Sequence, residues 1–364
     1  IEGGVRAMPA YSMGLICWSG RIATNIPNIA NSVTETPPLS TVAKFLGGIS
    51  QKRRMPKFAT ETFKAWFFKR SPRNLGKPKV ILWADTFNNY LLPAAAKDAC
   101  EVLEGAGFQV IVPRQPLCCG RPLYDFGFLG LAEKLLKQIL AALREEIRAG
   151  TPLVGLEPSC VTVFRDELCN LFPHDEDAKR LKEQSYILSE FLEKKAPDYQ
   201  PPKLHRRALV HGHCQHKAVL KMACEEKLLQ QVGLDCERPD TGCCGMAGSF
   251  GFEATKYDLS VSGRGRLLLP PVRSAGKDTL ILTDGFSCRE QIEQLTDRYA
   301  LHTAQVLKMA QESGPQGPPG NYPERKYLER QPAGLKPLEI ALLAGAGLAV
   351  AAGAARWLLR PNSD

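Results

Sequence analysis

Six of the twelve cysteines in this 364-residue chain fall into a repeated arrangement, and a seventh, Cys214, precedes its second copy. A Cys-Cys-Gly triplet occurs twice, and each triplet is followed about forty residues later by a Ser-Cys pair. Soft thiolate ligands match iron in a sulfide core, and each glycine permits a sharp turn close to a bulky inorganic group. The pattern therefore indicates iron–sulfur chemistry. The seven residues are Cys118, Cys119, Cys160, Cys214, Cys243, Cys244 and Cys288.

The second half of the chain offers the stronger ligand set. Cys214 and Cys288 each follow a segment with the composition of a buried strand, 207–211 and 280–283. Loops at the C-terminal edge of a parallel sheet are where open α/β folds place ligands. We expect Cys214, Cys243, Cys244 and Cys288 to hold a [4Fe–4S] cluster. The first half offers a weaker set of three, Cys118, Cys119 and Cys160.

Three of the six histidines crowd around Cys214. His211, His213 and His216 could ligate metal, but we interpret them as neighbours that donate hydrogen bonds to cluster sulfur. The remaining cysteines lie among apolar or helical residues and are interpreted as inert core residues. These are Cys17, Cys100, Cys169, Cys224 and Cys236.

Other interpretations of the paired cysteines stay open. Zinc sites usually use Cys-x-x-Cys pairs, so adjacent cysteines suit zinc less well. The Cys243-Cys244 pair could instead form a strained, redox-active disulfide of a thiol–disulfide reductase. The cysteines could also be vestigial in a non-catalytic docking module, although structural filling alone does not predict the repeat.

Alternating strand and helix patterns surround these motifs. Strand-like runs at 80–84, 108–112 and 153–156 alternate with helical segments, including one at 129–148, and the order recurs after residue 207. The pattern predicts an α/β fold of two similar repeated halves with parallel sheets, each with one Cys-Cys-Gly turn.

The predicted organisation has five parts. A helical N-terminal segment covers 1–75, the first α/β half 76–200, the second half 201–312, and a Pro/Gly-rich linker 313–336. An apolar helix at 337–360 is long enough to span a membrane, although a surface or disordered tail fits its weak hydrophobicity equally well.

Composition narrows the functional class. With 44% hydrophobic and 23% charged residues the chain is of globular type, and its net charge of +9 comes without a nucleic-acid recognition motif. We expect a solvated basic surface, an acidic partner or an anionic membrane surface instead. The many cysteines and the absence of a recognisable leader predict a cytoplasmic protein, with attachment to the inner face of the cell membrane through 337–360 as an option.

At these residues the sequence resembles the cysteine-rich, Cys-Cys-Gly (CCG) domain family of iron–sulfur oxidoreductases. The resemblance is carried by the segments 211–217, 242–251 and 283–288 in the second half, and by 85–90, 117–122 and 157–160 in the first. The chain is similar to the C-terminal region of bacterial fusions of an FAD-linked oxidase with iron–sulfur domains. Proteins like the iron–sulfur component of glycolate oxidase and the cysteine-rich component of heterodisulfide reductase belong to the same family.

The family pattern of each half is Cys, then Cys-Cys-Gly, then Cys-x-x-Cys. In the first half the leading position falls at Asp85 or Thr86, and Glu157 replaces the first cysteine of the closing pair. In the second half Gly285 replaces that cysteine. The resemblance therefore implies a four-thiolate rather than a five-thiolate cluster in the second half, and a degenerate first half.

The resemblance implies an electron-transfer module of an oxidoreductase. A flavin on an upstream domain or partner would oxidise a small D-2-hydroxy acid such as D-lactate, glycolate or D-2-hydroxyglutarate. Electrons would pass through this chain and a ferredoxin-like iron–sulfur domain to a membrane quinone or another acceptor. No flavin-binding domain or ferredoxin-type cysteine run is present in these 364 residues.

Overall fold

The computed structural model of the chain describes residues 4–327. Its N-terminal part is helical, as the sequence predicts, and the helices end at Pro- or Gly-rich breaks. The five helices are α1 (Met8–Ser12), α2 (Ile16–Ala23), α3 (Pro27–Glu35), α4 (Leu39–Gly47) and α5 (Phe63–Lys69).

The next part of the chain forms a four-stranded parallel sheet of order β2-β1-β3-β4. Four of the five residues of β1 are buried, which is typical of a strand covered on both faces. The elements are β1 (Lys79–Trp83), α6 (Thr86–Tyr90), α7 (Pro93–Gly105), β2 (Gln109–Ile111), α8 (Arg121–Asp125), α9 (Leu129–Arg148), β3 (Leu153–Gly155), α10 (Pro158–Arg165), α11 (Glu167–Leu171), α12 (Glu176–Gln184), β4 (Ser185–Ile187) and α13 (Leu188–Lys195).

A second, three-stranded parallel sheet follows with the order β6-β5-β7. The elements are β5 (Arg207–Val210), a π-helix (His216–Leu220), α14 (Ala223–Val232), β6 (Asp235–Glu237), a 3₁₀ turn (Phe250–Phe252), α15 (Tyr257–Leu259), a π-helix (Ser260–Arg264), α16 (Gly265–Ser274), β7 (Leu280–Leu282), α17 (Phe286–Leu295), α18 (Thr303–Ser313) and a 3₁₀ turn (Pro323–Tyr327).

The α/β class with two parallel sheets is confirmed. In both sheets the first strand in sequence lies in the middle, the second lies beside it at one edge, and the third lies on its other side. This shared order favours a repeat, but descent of both halves from one unit stays a prediction, as do the domain boundaries. One buried apolar cluster includes strand residues of both sheets, such as Leu82 and Leu282, so the halves share a core.

The two predictions for the C-terminal region have different outcomes. The predicted apolar helix at 337–360 lies outside the described residues. Of the predicted linker, the part up to Tyr327 packs on the second half, where the buried Glu324 carboxylate accepts a 2.8 Å hydrogen bond from Arg298. Within residues 4–327, no helix has both the length and the apolar character needed to cross a membrane.

The basic run at 52–54 does not lie wholly on the solvated surface. Arg53 is buried and donates hydrogen bonds to the Gly251 carbonyl at 2.8 Å, Ser260 Oγ at 3.0 Å and Gln291 Oε1 at 2.8 Å. These three acceptors lie in three segments of the second half. The guanidinium therefore fastens the N-terminal segment to the loop that follows the second Cys-Cys-Gly turn.

Replacing this side chain should weaken the fold. In Arg53→Met, three buried acceptors lose a charged donor, and we expect the free energy of unfolding to fall by about 3 kcal/mol in urea titrations. The neighbouring Lys52, exposed and paired with Asp258, offers a matched control. Lys52→Met should leave the unfolding midpoint nearly unchanged. Equal midpoints for both variants would contradict the role given to Arg53.

Candidate metal centre

The edge of the second sheet brings the predicted ligands of the second half together. The central strand β5 and its neighbour β7 are parallel, so the chain leaves both strands at the same edge. Cys214 lies in the segment after β5, and Cys288 lies in the first turn of α17 after β7. Because neighbouring parallel strands end at the same edge of a sheet, the two cysteines, which are distant in sequence, lie close together.

The four thiols of this edge lie close enough to interact with one another in series. The Cys214 thiol interacts with that of Cys243, and the Cys244 thiol interacts with those of Cys243 and Cys288, the last with its sulfur within 4.8 Å. Cys244 and Cys288 are buried, Cys243 is half-buried and Cys214 is exposed. The set therefore reaches from the protein interior to the solvent, with Cys214 at its outer end.

Crowding changes the acidity of these thiols. The hydrogen bond from Cys244 and the nearby His211 ring hold the pKa of the Cys288 thiol well below its usual value, against the effect of burial. Hydrogen bonds with Cys243 and Cys288, together with burial, raise the pKa of Cys244. One stabilised thiolate among protonated neighbours suits a site whose shared protons are displaced when metal binds.

Glycine is required in the second Cys-Cys-Gly turn. Gly245 has φ +92°, and a Cβ there would lie 2.9 Å from the backbone nitrogen of Gly265. Its own N–H donates a 3.4 Å hydrogen bond to Cys243 Sγ. Such backbone donors to sulfur are among the means by which a protein tunes the potential of an iron–sulfur centre.

The three predicted histidines have different environments. The ligand atoms of His211, Cys244 and Cys288 all lie within 4.8 Å of one another, and His211 Nδ1 lies 2.5 Å from Thr241 Oγ1. His213 is buried and its Nδ1 accepts a 3.2 Å hydrogen bond from the Gln215 N–H. These two positions are compatible with a supporting role, which stays a prediction.

His216 belongs to a different group. Its Nδ1 lies 3.1 Å from Glu225 Oε2, and burial lowers the pKa of the His216 imidazole to about 4. Its ligand atom, together with those of Glu225 and Asp284, forms a buried set within 4.8 Å. The three histidines, although close in sequence, therefore do not all lie at one site.

Gly285 explains why a fifth ligand does not fit. A Cβ at this position would lie within 2.9 Å of two atoms of the His213 ring. A cysteine here, as in the family pattern, would require the imidazole to move. The geometry accordingly favours the four-thiolate set over a five-thiolate one.

The first half also brings thiols together, one more than the three that the sequence predicts. Cys119 Sγ lies 3.0 Å from Cys160 Sγ, and Cys118 Sγ accepts a 3.6 Å hydrogen bond from Thr86 Oγ1. The Cys118 thiol also interacts with those of Cys119 and Cys17, and Cys17 packs in the same buried cluster. Cys17 is buried as expected, but it lies among thiols, and no local motif marks it.

Two carboxylates occupy the positions where the family has cysteine in the first half. Asp85 caps α6 by accepting hydrogen bonds from the Phe87 and Asn88 N–H groups, each at 2.9 Å. Glu157 caps α10, and its other oxygen accepts a 2.8 Å hydrogen bond from the N–H of Phe286 in the second half. Glu157 therefore supports the helix that carries Cys160, and Asp85 supports the helix whose Thr86 contacts Cys118.

A cavity of about 340 Å³ lies beside the outer end of the second thiol set, with Cys214 in its wall. Its wall is mainly apolar, with Phe87 and Phe286 stacked at a centroid distance of 4.3 Å. Polar side chains enter it from both halves, including Glu157 from the first and Cys214 from the second. Solvent and a redox partner can therefore approach the outer end of the second thiol set.

Comparison with known proteins agrees with this geometry. The cysteine-rich (CCG) domain model matches residues 86–165, which include the first Cys-Cys-Gly turn. Lactate utilization protein A of Bacillus velezensis is 32% identical over 181 residues, 47% of this chain and 74% of the relative. This chain belongs to the CCG cysteine-rich family.

Other relatives of this CCG protein are dehydrogenase components. A subunit of the anaerobic glycerol-3-phosphate dehydrogenase of Escherichia coli is 27% identical over 297 residues, covering 80% of this chain and 74% of the relative. The D-2-hydroxyglutarate dehydrogenase of Pseudomonas putida is 27% identical over 232 residues, 63% of this chain but 22% of that protein. The predicted family and the oxidoreductase class are thereby confirmed.

The close packing at Gly285 is testable by substitution. Gly285→Ala should force the His213 ring aside and lower the free energy of unfolding by about 1–3 kcal/mol, as overpacking usually does. Gly130 of α9, whose added Cβ would meet nothing within 4 Å, is the matched control. Gly130→Ala should be neutral or slightly stabilising. Equal stability of the two variants in urea would show that residue 285 has room for a side chain.

Proposed function

We propose that this CCG protein is an electron-transfer component of a flavin-linked dehydrogenase and that its second half holds a [4Fe–4S] cluster. The observation that carries the proposal is the gathering of four interacting thiols at one sheet edge. The proposed ligands are Cys214, Cys243, Cys244 and Cys288. Such a cluster would supply one-electron transfer at a potential tuned by its surroundings.

The surrounding residues would stabilise and position this centre without binding iron themselves. The Gly245 N–H and the His211 ring stand close enough to sulfur to stabilise its negative charge. Lys217 Nζ donates a 2.6 Å hydrogen bond to the Gly242 carbonyl and so fixes the loop before Cys243. The exposed Cys214 beside the cavity gives electrons a short path between the centre and a partner.

Substrate oxidation would take place outside this chain, on a separate domain or partner protein that binds FAD. Relatives named for glycerol 3-phosphate, D-2-hydroxyglutarate and lactate share the cysteine-rich part, which fits a module that serves several flavoprotein reactions. A D-2-hydroxy acid remains our proposed substrate class, with a ferredoxin-like iron–sulfur domain as the intermediate carrier. A quinone at the inner face of the cell membrane is the proposed acceptor, with anchoring through 337–360.

The first test is the iron and acid-labile sulfide content of the anaerobically purified full chain. Cys244→Ser removes a buried thiol with two thiol partners and should abolish the second-half cluster, together with its EPR signal after reduction. Cys236→Ser changes a half-buried cysteine of β6 and should leave both unchanged. A chain that takes up no iron even after reconstitution would contradict the proposal.

The same variants separate this proposal from the thiol–disulfide alternative. A reductase that uses the Cys243–Cys244 pair would retain activity without iron and lose it on thiol alkylation. An electron-transfer centre would lose its visible absorption and its EPR signal when iron is removed. Full iron content together with a disulfide-reductase activity that thiol alkylation abolishes would favour the alternative.

A further inference from the structure

We propose that Cys17 of the N-terminal helix α2 completes a second four-thiolate iron–sulfur site in the first half of the chain. Its partners would be Cys118, Cys119 and Cys160. This inference rests on the proposed function, because it assumes that thiol groups in this chain bind iron–sulfur clusters. It also gives the N-terminal segment a role in the chemistry.

The contacts of Cys17 reproduce those of Cys214. Cys17 packs in one buried cluster with Cys118, the first cysteine of its triplet, and the two thiols interact, as those of Cys214 and Cys243 do. The second cysteine of each triplet contacts the cysteine of the Ser-Cys pair: Cys119 Sγ lies 3.0 Å from Cys160 Sγ. Each half therefore contains a series of four sulfur atoms with the same order of contacts.

Cys17 reaches this position by a different route from Cys214. In the second half the outer thiol follows the central strand directly, whereas after β1 the corresponding position holds Asp85 and Thr86. The thiol of Cys17 comes instead from α2, about seventy residues earlier in the chain. The missing strand-end ligand of the first half is thus replaced by one from another element.

Several contacts hold α2 in place beside the first triplet. Gly20 allows close packing, because a Cβ there would lie 3.0 Å from the Tyr90 ring at the end of α6. Arg21 donates a hydrogen bond to the Pro116 carbonyl, two residues before Cys118. Cys17 and Cys118 belong to one buried cluster with Leu123. Because α2 is held both where it packs against α6 and at the loop before Cys118, it can present Cys17 as a ligand without rearrangement.

Two guanidinium groups lie near the first thiol set. Arg21 acts on the Cys17 thiol and Arg121 on the Cys119 thiol, although neighbouring thiols and burial raise the pKa of both. The nearby carboxylates of Asp85 and Glu157 are engaged in the helix caps described above. All four thiols are buried, in contrast to the second set with its exposed Cys214. The first site would therefore be shielded from solvent.

The test compares metal content and EPR spectra of the anaerobic full chain. Wild type should contain about eight iron atoms, about four in each site. Cys17→Ser and Cys17→Ala should each reduce this to about four and remove one EPR signal, or convert that site to a three-iron form. Cys214→Ser should remove the other signal. Cys169→Ser, a half-buried cysteine of α11, should change neither.

The outcomes separate this inference from the function on which it rests. A wild-type chain with about four irons, all lost in Cys214→Ser, would overturn the role of Cys17 while the electron-transfer proposal stands. Unchanged iron content and spectra in both Cys17 variants would overturn it as well. A chain with no iron would instead refute the proposed function. Far-ultraviolet circular dichroism of each variant shows whether a loss of iron follows from unfolding.

Discussion

The relative position of the two halves depends on the buried carboxylate of Glu157. One oxygen accepts hydrogen bonds from the N–H and hydroxyl of Ser159 and so begins α10, which carries Cys160. The other accepts from the Phe286 N–H at the start of α17, which carries Cys288. A single anion thus satisfies the exposed donors of two helix N-termini, where negative charge is favourable. The N-termini of the two cysteine-bearing helices are held close together as a consequence.

The rest of the interface follows from this arrangement. Phe87 and Phe286 stack beside the carboxylate, and the buried Arg289 donates a 3.1 Å hydrogen bond to Asn88 Oδ1 across the halves. Burial and the nearby Glu157 raise the pKa of the Asp85 carboxyl to about 6. The interface therefore combines ring packing with a small, largely paired polar network. The remaining space between the halves is the cavity that Cys214 lines.

The sequence predicted the elements with strong local patterns. The helix at 129–148, the buried strands β1, β3, β5 and β7, and the turns after them were all found where expected. The short strands β4 and β6 were missed because their residues, unlike those of β3 and β7, do not form an apolar run. The helical segment after β5 is interrupted near Lys221, which has φ +70°. The contacts of Cys17 and Arg53 were not foreseen for another reason. Their partners lie roughly 100 to 240 residues away, and a solitary cysteine or a basic run carries no sign of a distant contact.

The central claim is that cysteine thiolates at the facing edges of the two sheets hold iron in sulfide clusters. X-ray absorption at the iron edge of the anaerobically purified full chain tests it most directly. The account predicts a first shell made of sulfur alone, with a second shell of neighbouring iron atoms. A first shell dominated by nitrogen and oxygen, or the absence of iron neighbours, would contradict it.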